Sequence, residues 1–366
     1  MAKRIALNTL NATTVDIMNV IRSNASYNYQ QAVPEISSYV EVPVVGEVIY
    51  GTPALANEFL NALLNRIALV RIKSATFNNP YKDLKKGYLE FGETIEEVFV
   101  EIAKVRLFNN ERVDEYEFKR TLPDVKSAFH AINWRVQYPV TIQDEDLRMA
   151  FTSENGVRDM IARIVDQIYT AAEYDEFLLF KYLLIKGVNA GDIVTRTVTV
   201  VSDEMHELAT EFRATSNEML FMSNKFNSYP VYNTTPRERQ RIFMDARFNA
   251  KFDVNVLASA FNMEKAEFMG RLTLIDDWTT FDNARWANLV AEGNAVSEVT
   301  ADELSAMENV KAIIVDEEWF QVYDNLARMT EKYAASGLYW NYFYNNWKTV
   351  SWSPFANAVV IAESGD

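Results

Sequence analysis

The sequence predicts an α+β fold, and three observations lead to that prediction. Residues 88–105 and 125–142 are rich in Val, Ile, Phe, Tyr and Thr with partial alternation, which is typical of β-strands. Residues 157–184 instead carry apolar side chains at i, i+3 and i+4 spacing, which is typical of a helix. Strand-like composition returns near the end of the chain, at 313–315, 338–350 and 355–361.

The first part of the chain is polar and rich in Asn. We expect residues 1–52 to form an extended arm with one short helix near 15–21. After Pro53, the segment 54–67 has helical spacing of its apolar residues, which are Ala56, Phe59, Leu60, Leu63 and Leu64. The sequence therefore predicts a helix over 54–67.

The two strand-like runs flank a charged, turn-prone patch at 108–117. This order predicts one long hairpin. A two-stranded hairpin is marginally stable in water and its edges are unpaired, so we expect it to lie on another surface.

The longest predicted element is a helix over about 154–186. Ser153 is a suitable N-cap residue and Gly187 a suitable C′ residue. About 30 residues at 1.5 Å each give a length of roughly 45 Å, well beyond the mean helix of about 11–12 residues.

The part of the chain after the long helix is predicted to contain short helices and strands. A strand is predicted at 193–201, an amphipathic helix opening at Ser202, a helix at 254–261 and an extended segment at 271–275.

Composition limits the classes of function. Of the 366 residues, 49% are hydrophobic and 13% aromatic, which favours a folded core over a disordered chain. The formal net charge of −15 argues against specific duplex binding, which needs clustered Lys and Arg. No apolar run approaches the roughly 20 residues of a membrane helix, and the first residues do not resemble a secretory leader, so we expect the protein to stay where it is made.

Motifs of catalysis are missing from the sequence. There is no cysteine, only 11 glycines, and no GxGxxG, Walker A or GxSxG pattern. The acid pairs at 96–97, 175–176 and 276–277 fit solvated surfaces better than a catalytic pair. His130 and His206 fit structural roles, because no spacing supplies a second convergent metal ligand. We therefore predict no catalytic residue, no cofactor and no metal.

Seven short motifs occur in an order that resembles the major capsid protein of small tailed bacteriophages of the phi-29 kind. The resemblance covers about residues 20–360. The motifs are Asn78-Asn79-Pro80 with Lys85-Lys86-Gly87 and Gly92-Glu93-Thr94-Ile95-Glu96-Glu97; Thr141-Ile142-Gln143-Asp144 with Ala150-Phe151; Ala172-Glu173-Tyr174-Asp175-Glu176; Ala260-Phe261-Asn262-Met263; Val322-Tyr323-Asp324-Asn325-Leu326; Gly337-Leu338-Tyr339-Trp340-Asn341-Tyr342; and Phe355-Ala356-Asn357-Ala358-Val359.

The resemblance implies a Hong Kong 97-type (HK-97-like) phage capsid fold. The implied domains are an N-terminal arm at 1–52, the start of a peripheral domain at 53–73, an extended E-loop hairpin at 74–142, the peripheral domain with its long spine helix at 143–215, an axial domain at 216–310, and strands returning to the body at 311–366. The best-known relative continues into an immunoglobulin-like domain, whereas this sequence stops at Asp366. We carry over no role of that domain.

The function that the resemblance implies is that of a structural head protein. Copies would self-assemble into hexamers and pentamers of an icosahedral or prolate shell around packaged double-stranded DNA. The implied partners are other copies of the chain, a scaffolding protein and a portal, with weak, nonspecific contact to DNA and none to a membrane. The protein would be made in the bacterial host cytoplasm and end in the virion.

The charged residues around the hairpin are candidate intersubunit contacts. A lysine cluster could touch nucleic acid, but nearby acids favour charge pairing between subunits, which sets register and partner choice. The candidates are Lys82, Lys85, Lys86, Glu93, Glu96, Glu97, Arg112 and Glu115. The aromatic run at 339–347 has few neighbouring basic residues, so a buried strand is favoured over base stacking.

One alternative from another class stays open at this point. A soluble acidic enzyme or binding module would gather His206 or the acid pairs in a pocket and would remain a monomer or small oligomer.

Overall fold

A computed structural model describes residues 13–69, 79–90, 94–108, 110, 117, 119–145, 151, 156–200, 206–252, 272–291 and 296–364. The chain divides into two compact units. The first unit comprises Met1–Asn79, Val136–Glu176 and Leu326–Asn346, and the second comprises Pro80–Arg135, Phe177–Asn325 and Trp347–Asp366.

The first unit begins with three helices where the sequence predicted an extended arm. They are α1 (Thr14–Asn24), α2 (Tyr27–Ala32) and α3 (Val42–Gly51). Helix α1 confirms the short helix predicted near 15–21, and a capping box between Thr13 and Asp16 closes its first turn. The extended conformation predicted for the rest of the arm is wrong at α2 and α3, because these helices, like α1, place apolar side chains in one buried cluster. These side chains include Ile17, Ile21, Tyr29, Val42, Val45 and Ile49.

Helix α4 (Pro53–Leu69) confirms the helix predicted over 54–67. Three residues of its predicted apolar face are buried in the same cluster, namely Ala56, Phe59 and Leu60. The side chains of Leu63 and Leu64 lie outside the described part of the chain.

The predicted hairpin exists but is shorter than expected. Strands β2 (Ile95–Val100) and β3 (Val125–His130) pair antiparallel, with Ile95 opposite His130 and Val100 opposite Val125. Residues 101–108 and 119–124 continue from the two strands without regular structure. We call β2, β3 and these continuations the hairpin. Most of its turn, at 109–118, lies outside the described residues.

The second half of the predicted hairpin belongs to another sheet. Strand β4 (Ile132–Gln143) joins a four-stranded sheet with β1 (Gly87–Tyr88), β9 (Phe320–Ala334) and β10 (Tyr339–Trp352), in the order β1-β9-β10-β4. The prediction that 88–105 pairs with 125–142 along its whole length is therefore wrong, because β4 has its own strand partner.

The long helix is α5 (Gly156–Asn189), which confirms the predicted spine helix. Gly187 was expected just past its end but lies within it. A Cβ at Gly187 would stand 2.9 Å from Cζ2 of buried Trp319, so a side chain there has no room. The helix ends at Asn189, and Gly191 takes the C′ position instead, where its φ of +77° suits glycine. Bonds from the N–H groups of Asp192 to Gly187 and of Gly191 to Val188 form a Schellman motif. Ser153, the predicted N-cap, lies outside the described residues.

The second unit is built on a five-stranded sheet. Its strands are β5 (Val194–Val198), β6 (Gln240–Asp245), β7 (Leu272–Ile275), β8 (Val310–Asp316) and β11 (Ala358–Glu363), in the order β5-β11-β8-β6-β7. Strand β11 pairs parallel with β5 and antiparallel with β8, and β6 pairs antiparallel with β8 and parallel with β7. Each strand predicted at 193–201, 271–275, 313–315 and 355–361 corresponds to a strand of this sheet, although β11 begins at Ala358 rather than at 355, and residues 201 and 271 lie outside the described part of the chain.

Short helices accompany this sheet. They are α6 (His206–Glu218), α7 (Ala246–Phe252), α8 (Asn283–Ala291) and α9 (Ala301–Ala306). Leu208 and Phe212 of α6 pack in one buried cluster with Ile314 and Val359 of the sheet, which confirms the amphipathic helix. Its predicted start at Ser202 and the helix predicted at 254–261 lie outside the described residues.

Strand β10 confirms the strand predicted at 338–350, and no residue along Tyr339–Trp352 is exposed. Trp340 and Tyr342 are buried, as expected for a strand packed on both faces. Its neighbour β9 was not predicted, because charged residues between 324 and 332 interrupt the apolar pattern.

Candidate intersubunit hairpin

The outer face of the hairpin is apolar and exposed. Side chains alternate along a strand, so one face carries a single set, namely Glu96, Val98 and Val100 of β2 and Val125, Ser127 and Phe129 of β3. Phe129 is 67% exposed and Val98 53%. Large apolar side chains gathered on an exposed face mark an interaction surface.

The inner face of the hairpin is held to the rest of the second unit by polar contacts. His130 is buried, with Nε2 3.3 Å from the Glu97 carboxylate and Nδ1 2.7 Å from the Ser351 hydroxyl. The Ser353 hydroxyl donates to the other Glu97 oxygen at 2.7 Å. We call these four residues the hairpin root. His130 and Ser353 are buried and Glu97 is half-buried, and buried polar groups are unfavourable without partners, so the root fixes which face of the hairpin turns inward.

Apolar and charged contacts extend the root along the inner face. Phe99 stacks on Phe355 with ring centroids 5.7 Å apart. One step further, Lys126 pairs with Glu101 at 3.2 Å. The base of the hairpin is therefore anchored by side chains that are distant in sequence.

Beyond the paired strands, both continuations are exposed. We call 102–108 and 119–122 the hairpin tip; all eleven residues in these two ranges are exposed. Its large apolar residues are Ile102, Val105, Leu107, Phe108 and Leu122. Its basic residues are Lys104, Arg106, Lys119 and Arg120. These two ranges thus carry exposed apolar and basic side chains, and the sequence between them adds the acids Glu111, Asp114, Glu115 and Glu117.

Two of the predicted contact lysines have partners within the same chain. Lys85 pairs with Asp324 at 2.7 Å and Lys86 with Glu318 at 2.9 Å. Asp324 also pairs with Lys348, which is buried. Burial alone raises the pKa of Asp324, but the ammonium groups of Lys348 and Lys85 outweigh it and leave the pKa below its usual range.

The other predicted contact residues fall into three groups. Lys82 and Glu96 are exposed. Glu97 belongs to the hairpin root. The remaining three, Glu93, Arg112 and Glu115, lie outside the described residues.

One acid pair differs from expectation. Asp175 and Glu176 are only 4% and 6% exposed, so the prediction of a solvated pair is wrong there. Asp175 accepts a hydrogen bond from the Tyr138 hydroxyl at 2.8 Å, and Glu176 accepts one from the Asn79 side-chain amide at 2.9 Å. These bonds within the first unit satisfy the carboxylates and make their burial possible.

Of the remaining chemistry candidates, the acids Asp276 and Asp277 each have a partner of their own. Asp276 accepts an ion-pair bond from buried Lys181 at 2.8 Å, and Asp277 binds the Thr279 hydroxyl and backbone N–H. The side chain of His206 lies outside the described residues. Across the described ranges, no group of three or more His, Asp or Glu could hold a metal ion. No helix in that part of the chain has both the length and the apolar character that a membrane span requires.

Comparison with known proteins identifies the family of this chain. The model of the family described as Phi29-like phage major capsid protein matches residues 18–362. This chain belongs to that family.

Curated relatives agree with the family match. The major capsid protein of Bacillus phage B103 is 35% identical over 359 residues, covering 96% of this chain and 73% of that protein. The major capsid protein of Bacillus phage PZA is 33% identical over 356 residues with the same coverage. A member of this family is a structural shell protein of the virion, and self-association follows from that role.

The fold is also shared with solved phage capsids. A chain from the capsid structure of Staphylococcus phage Andhra matches with a TM-score of 0.61 at 15% identity, covering 79% of this chain and 85% of that chain. The fold is therefore the Hong Kong 97-type capsid fold predicted from the motifs.

Sequence reasoning missed most of the hairpin root. Ser351 and Ser353 lie more than 200 residues from the hairpin strands that they contact. No local spacing links them to Glu97 or His130, although the alternation along β3 places Phe129 on the outer face and His130 on the inner face.

Proposed function

We propose that copies of this chain assemble into hexamers and pentamers of an icosahedral or prolate shell around double-stranded DNA, with the hairpin as an arm onto an adjacent copy. The observation that carries this proposal is the exposed apolar outer face of the hairpin, on a chain of a shell-forming family. Burial of that face against a neighbour removes apolar surface from water, at about 25 cal/mol per Å².

The anchored root and the exposed tip support different roles along the same hairpin. The root keeps the base in one orientation through Glu97 and His130. The tip has no regular structure in the described ranges, so it can adapt to neighbours in non-identical positions of a shell.

The charged contact residues divide accordingly. Lys85, Lys86 and Glu97 have partners within the same chain, and their contact with a neighbouring copy stays a prediction. Lys82 and Glu96, together with Glu93, Arg112 and Glu115, are the charges that we propose to cross the subunit boundary.

The wider partners follow from the family. A scaffolding protein and a portal would bind the shell during assembly, in the host cytoplasm, and the net charge of −15 suits a lumen that contacts DNA weakly. The role is structural rather than catalytic, and the family match favours it over a soluble acidic enzyme or binding module.

Negative-stain electron microscopy of the purified full chain, expressed with and without a scaffolding protein, tests this function. We expect closed shells, tubes or capsomer rings in at least one condition. A monodisperse monomer in both conditions would overturn the proposal.

A further inference from the structure

One loop of the second unit exposes several large apolar side chains. Residues 219–235 follow helix α6, and every residue of this segment is described. Phe221 is 71% exposed and Tyr229 is 54% exposed. The other exposed apolar residues of the segment are Met222, Pro230 and Tyr232. We call residues 219–235 the aromatic loop.

Hydrogen bonds inside the aromatic loop hold its backbone in one shape. The buried side chain of Asn227 accepts a bond from the Val231 N–H at 2.9 Å and donates one to the Val231 carbonyl at 2.8 Å. Ser223 and Asn233 exchange two backbone bonds across the loop. Because a fixed backbone loses little freedom on binding, the loop is pre-organised for a contact.

The family motif at 355–359 holds the aromatic loop from the other side. The fully buried Asn357 accepts a bond from the Asn227 side-chain amide at 3.0 Å. The N–H of Ala358 donates to the Phe226 carbonyl at 2.7 Å. This motif therefore ties the loop to strand β11 while the aromatic side chains stay exposed.

A row of aromatic rings joins the aromatic loop to the base of the hairpin. The Tyr229 ring packs edge-on against Phe355, with the ring centroids 5.8 Å apart. Phe355 also stacks on Phe99 of β2. The loop thus continues the surface that begins at the hairpin, which we propose to meet a second copy.

The charge of the aromatic loop suits contact with another copy. Each chain carries a net charge of −15, so two copies repel least where acids are few. Residues 219–235 contain Lys225 and no acid. Of the acids that border the loop, Glu218 pairs with Arg196 at 2.5 Å and Glu238 is exposed. The loop itself therefore adds no negative charge to such a contact.

We propose that the aromatic loop packs against a second copy of the chain, and that the motif at 355–359 positions the loop for this contact. This inference rests on the proposed function and adds a contact surface beside the hairpin. Burial of the exposed side chains stabilises the contact by about 25 cal/mol per Å² of apolar surface, and aromatic residues are enriched in contacts between proteins.

Photo-crosslinking tests the contact directly. Phe221→p-benzoylphenylalanine places a photoreactive ring at an exposed position of the loop. We would irradiate assembled shells and, as the control, the same chain kept dilute and unassembled. We expect a product of two chains from the shells only. Shells that give no such product, or a product with a scaffolding protein instead, would overturn the proposal.

Phe221→Asp gives an independent readout. The new carboxylate is solvated in a single chain but loses water in the proposed contact. We expect wild-type circular dichroism and an assembly yield lower by roughly tenfold or more, because the penalty recurs at every contact. Phe221→Leu stays apolar and should keep most of the yield. Ser305→Asp, which adds the same charge at an exposed position of α9, should leave the yield unchanged.

Asn227→Ala tests the role of the motif. The substitution removes the link to Asn357 and leaves the Val231 N–H and carbonyl without that partner. Amide exchange over 219–235 should accelerate by roughly tenfold or more, while β8 and β11 keep their protection. The assembly yield should fall as well. Faster exchange in the loop with a normal yield would contradict the positioning role.

The outcomes separate the two proposals. Wild-type shells together with a Phe221→Asp chain that assembles normally would overturn this contact and leave the shell function standing. Failure of the wild-type chain to assemble would instead contradict the proposed function itself.

Discussion

At the residue scale, Gly187 of helix α5 lies against the indole of Trp319, and a Cβ there would stand 2.9 Å from its Cζ2. We expect Gly187→Ala to destabilise the second unit by about 1–3 kcal/mol, because the new Cβ would overlap a buried ring in a packed core. This loss exceeds the gain of up to about 1 kcal/mol from helix propensity. Urea unfolding of the unassembled chain, followed by Trp fluorescence, measures the change.

Gly51→Ala is the matched control for that substitution. Gly51 also lies in a helix, but a Cβ there would meet no atom within 4 Å. We expect it to be neutral or slightly stabilising. Equal effects of the two substitutions would contradict the packing argument.

Asp324 makes stability depend on pH. Its pKa in the folded chain lies below the unfolded value of about 3.9, so its ion pairs stabilise the fold above that value. The stabilisation is lost as pH falls through the folded pKa. We expect Asp324→Asn to lower the unfolding midpoint strongly at pH 7, because buried Lys348 loses its charged partner, and to lower it by a smaller amount at pH 3, where the ion-pair stabilisation has begun to decline.

Thermal unfolding of both chains at the two pH values provides the measurement. Asp83→Asn, at an exposed position of the same unit, should change the midpoint little at either pH. A difference between wild type and Asp324→Asn that persists undiminished at pH 3 would refute this linkage.

Residue roles were predicted where a local pattern determines them. The apolar positions of α4 and α5, such as Phe59 and Ile164, were identified from spacing and are buried. The burial of Asp175 and Glu176 could not be predicted, because it depends on Tyr138 and Asn79, which reach them only in the folded chain.

At the scale of elements, the hairpin root should control how firmly β2 and β3 are held. Glu97→Ala removes the acceptor for both His130 and Ser353. A lost buried hydrogen bond costs about 1–3 kcal/mol, so amide exchange in β2 and β3 should accelerate by roughly tenfold or more. Hydrogen exchange by mass spectrometry resolves these two strands from helix α5, which should keep its protection.

Glu96→Ala is the control at the next residue, whose side chain is exposed on the outer face. We expect its exchange pattern to match wild type. If Glu96→Ala loosened the hairpin as much as Glu97→Ala, the assignment of the two faces would be wrong.

Elements with a strong period were predicted well, and those set by distant pairing were not. The spine helix follows from its i, i+3, i+4 spacing. Strand β9 has charged residues on its less buried side, and its assignment depends on pairing within the sheet. The length of the hairpin was overestimated for the same reason, since β4 has a strand composition but a different partner.

At the scale of the whole molecule, the core of the first unit depends on the spine helix. Ile164 is buried in the same cluster as residues of α1, α3 and α4. We expect Ile164→Asp to unfold this unit, because an unpaired buried charge costs several kcal/mol. Soluble yield and circular dichroism measure the loss.

Gln167→Asp introduces the same residue one turn further along the helix, at an exposed position. It should fold normally. A folded, soluble Ile164→Asp chain would show that the spine helix is less central to this core than its burial indicates.

The family could be identified from the sequence because seven weak motifs recur in one order. The subunit contacts could not, because they join side chains of different copies and leave no spacing within one chain. What a single chain does reveal is where apolar surface stays exposed, and it is the hairpin that exposes the longest such stretch among the described residues.

The central claim is that the hairpin drives assembly, and deletion of residues 106–124 tests it most directly. The deletion leaves residues 101–105 to connect Val100 to Val125, which pair in the native strand register. By electron microscopy and sedimentation, we expect a folded chain, with wild-type circular dichroism, that forms no shells. Shells of normal size from the deleted chain would contradict the account.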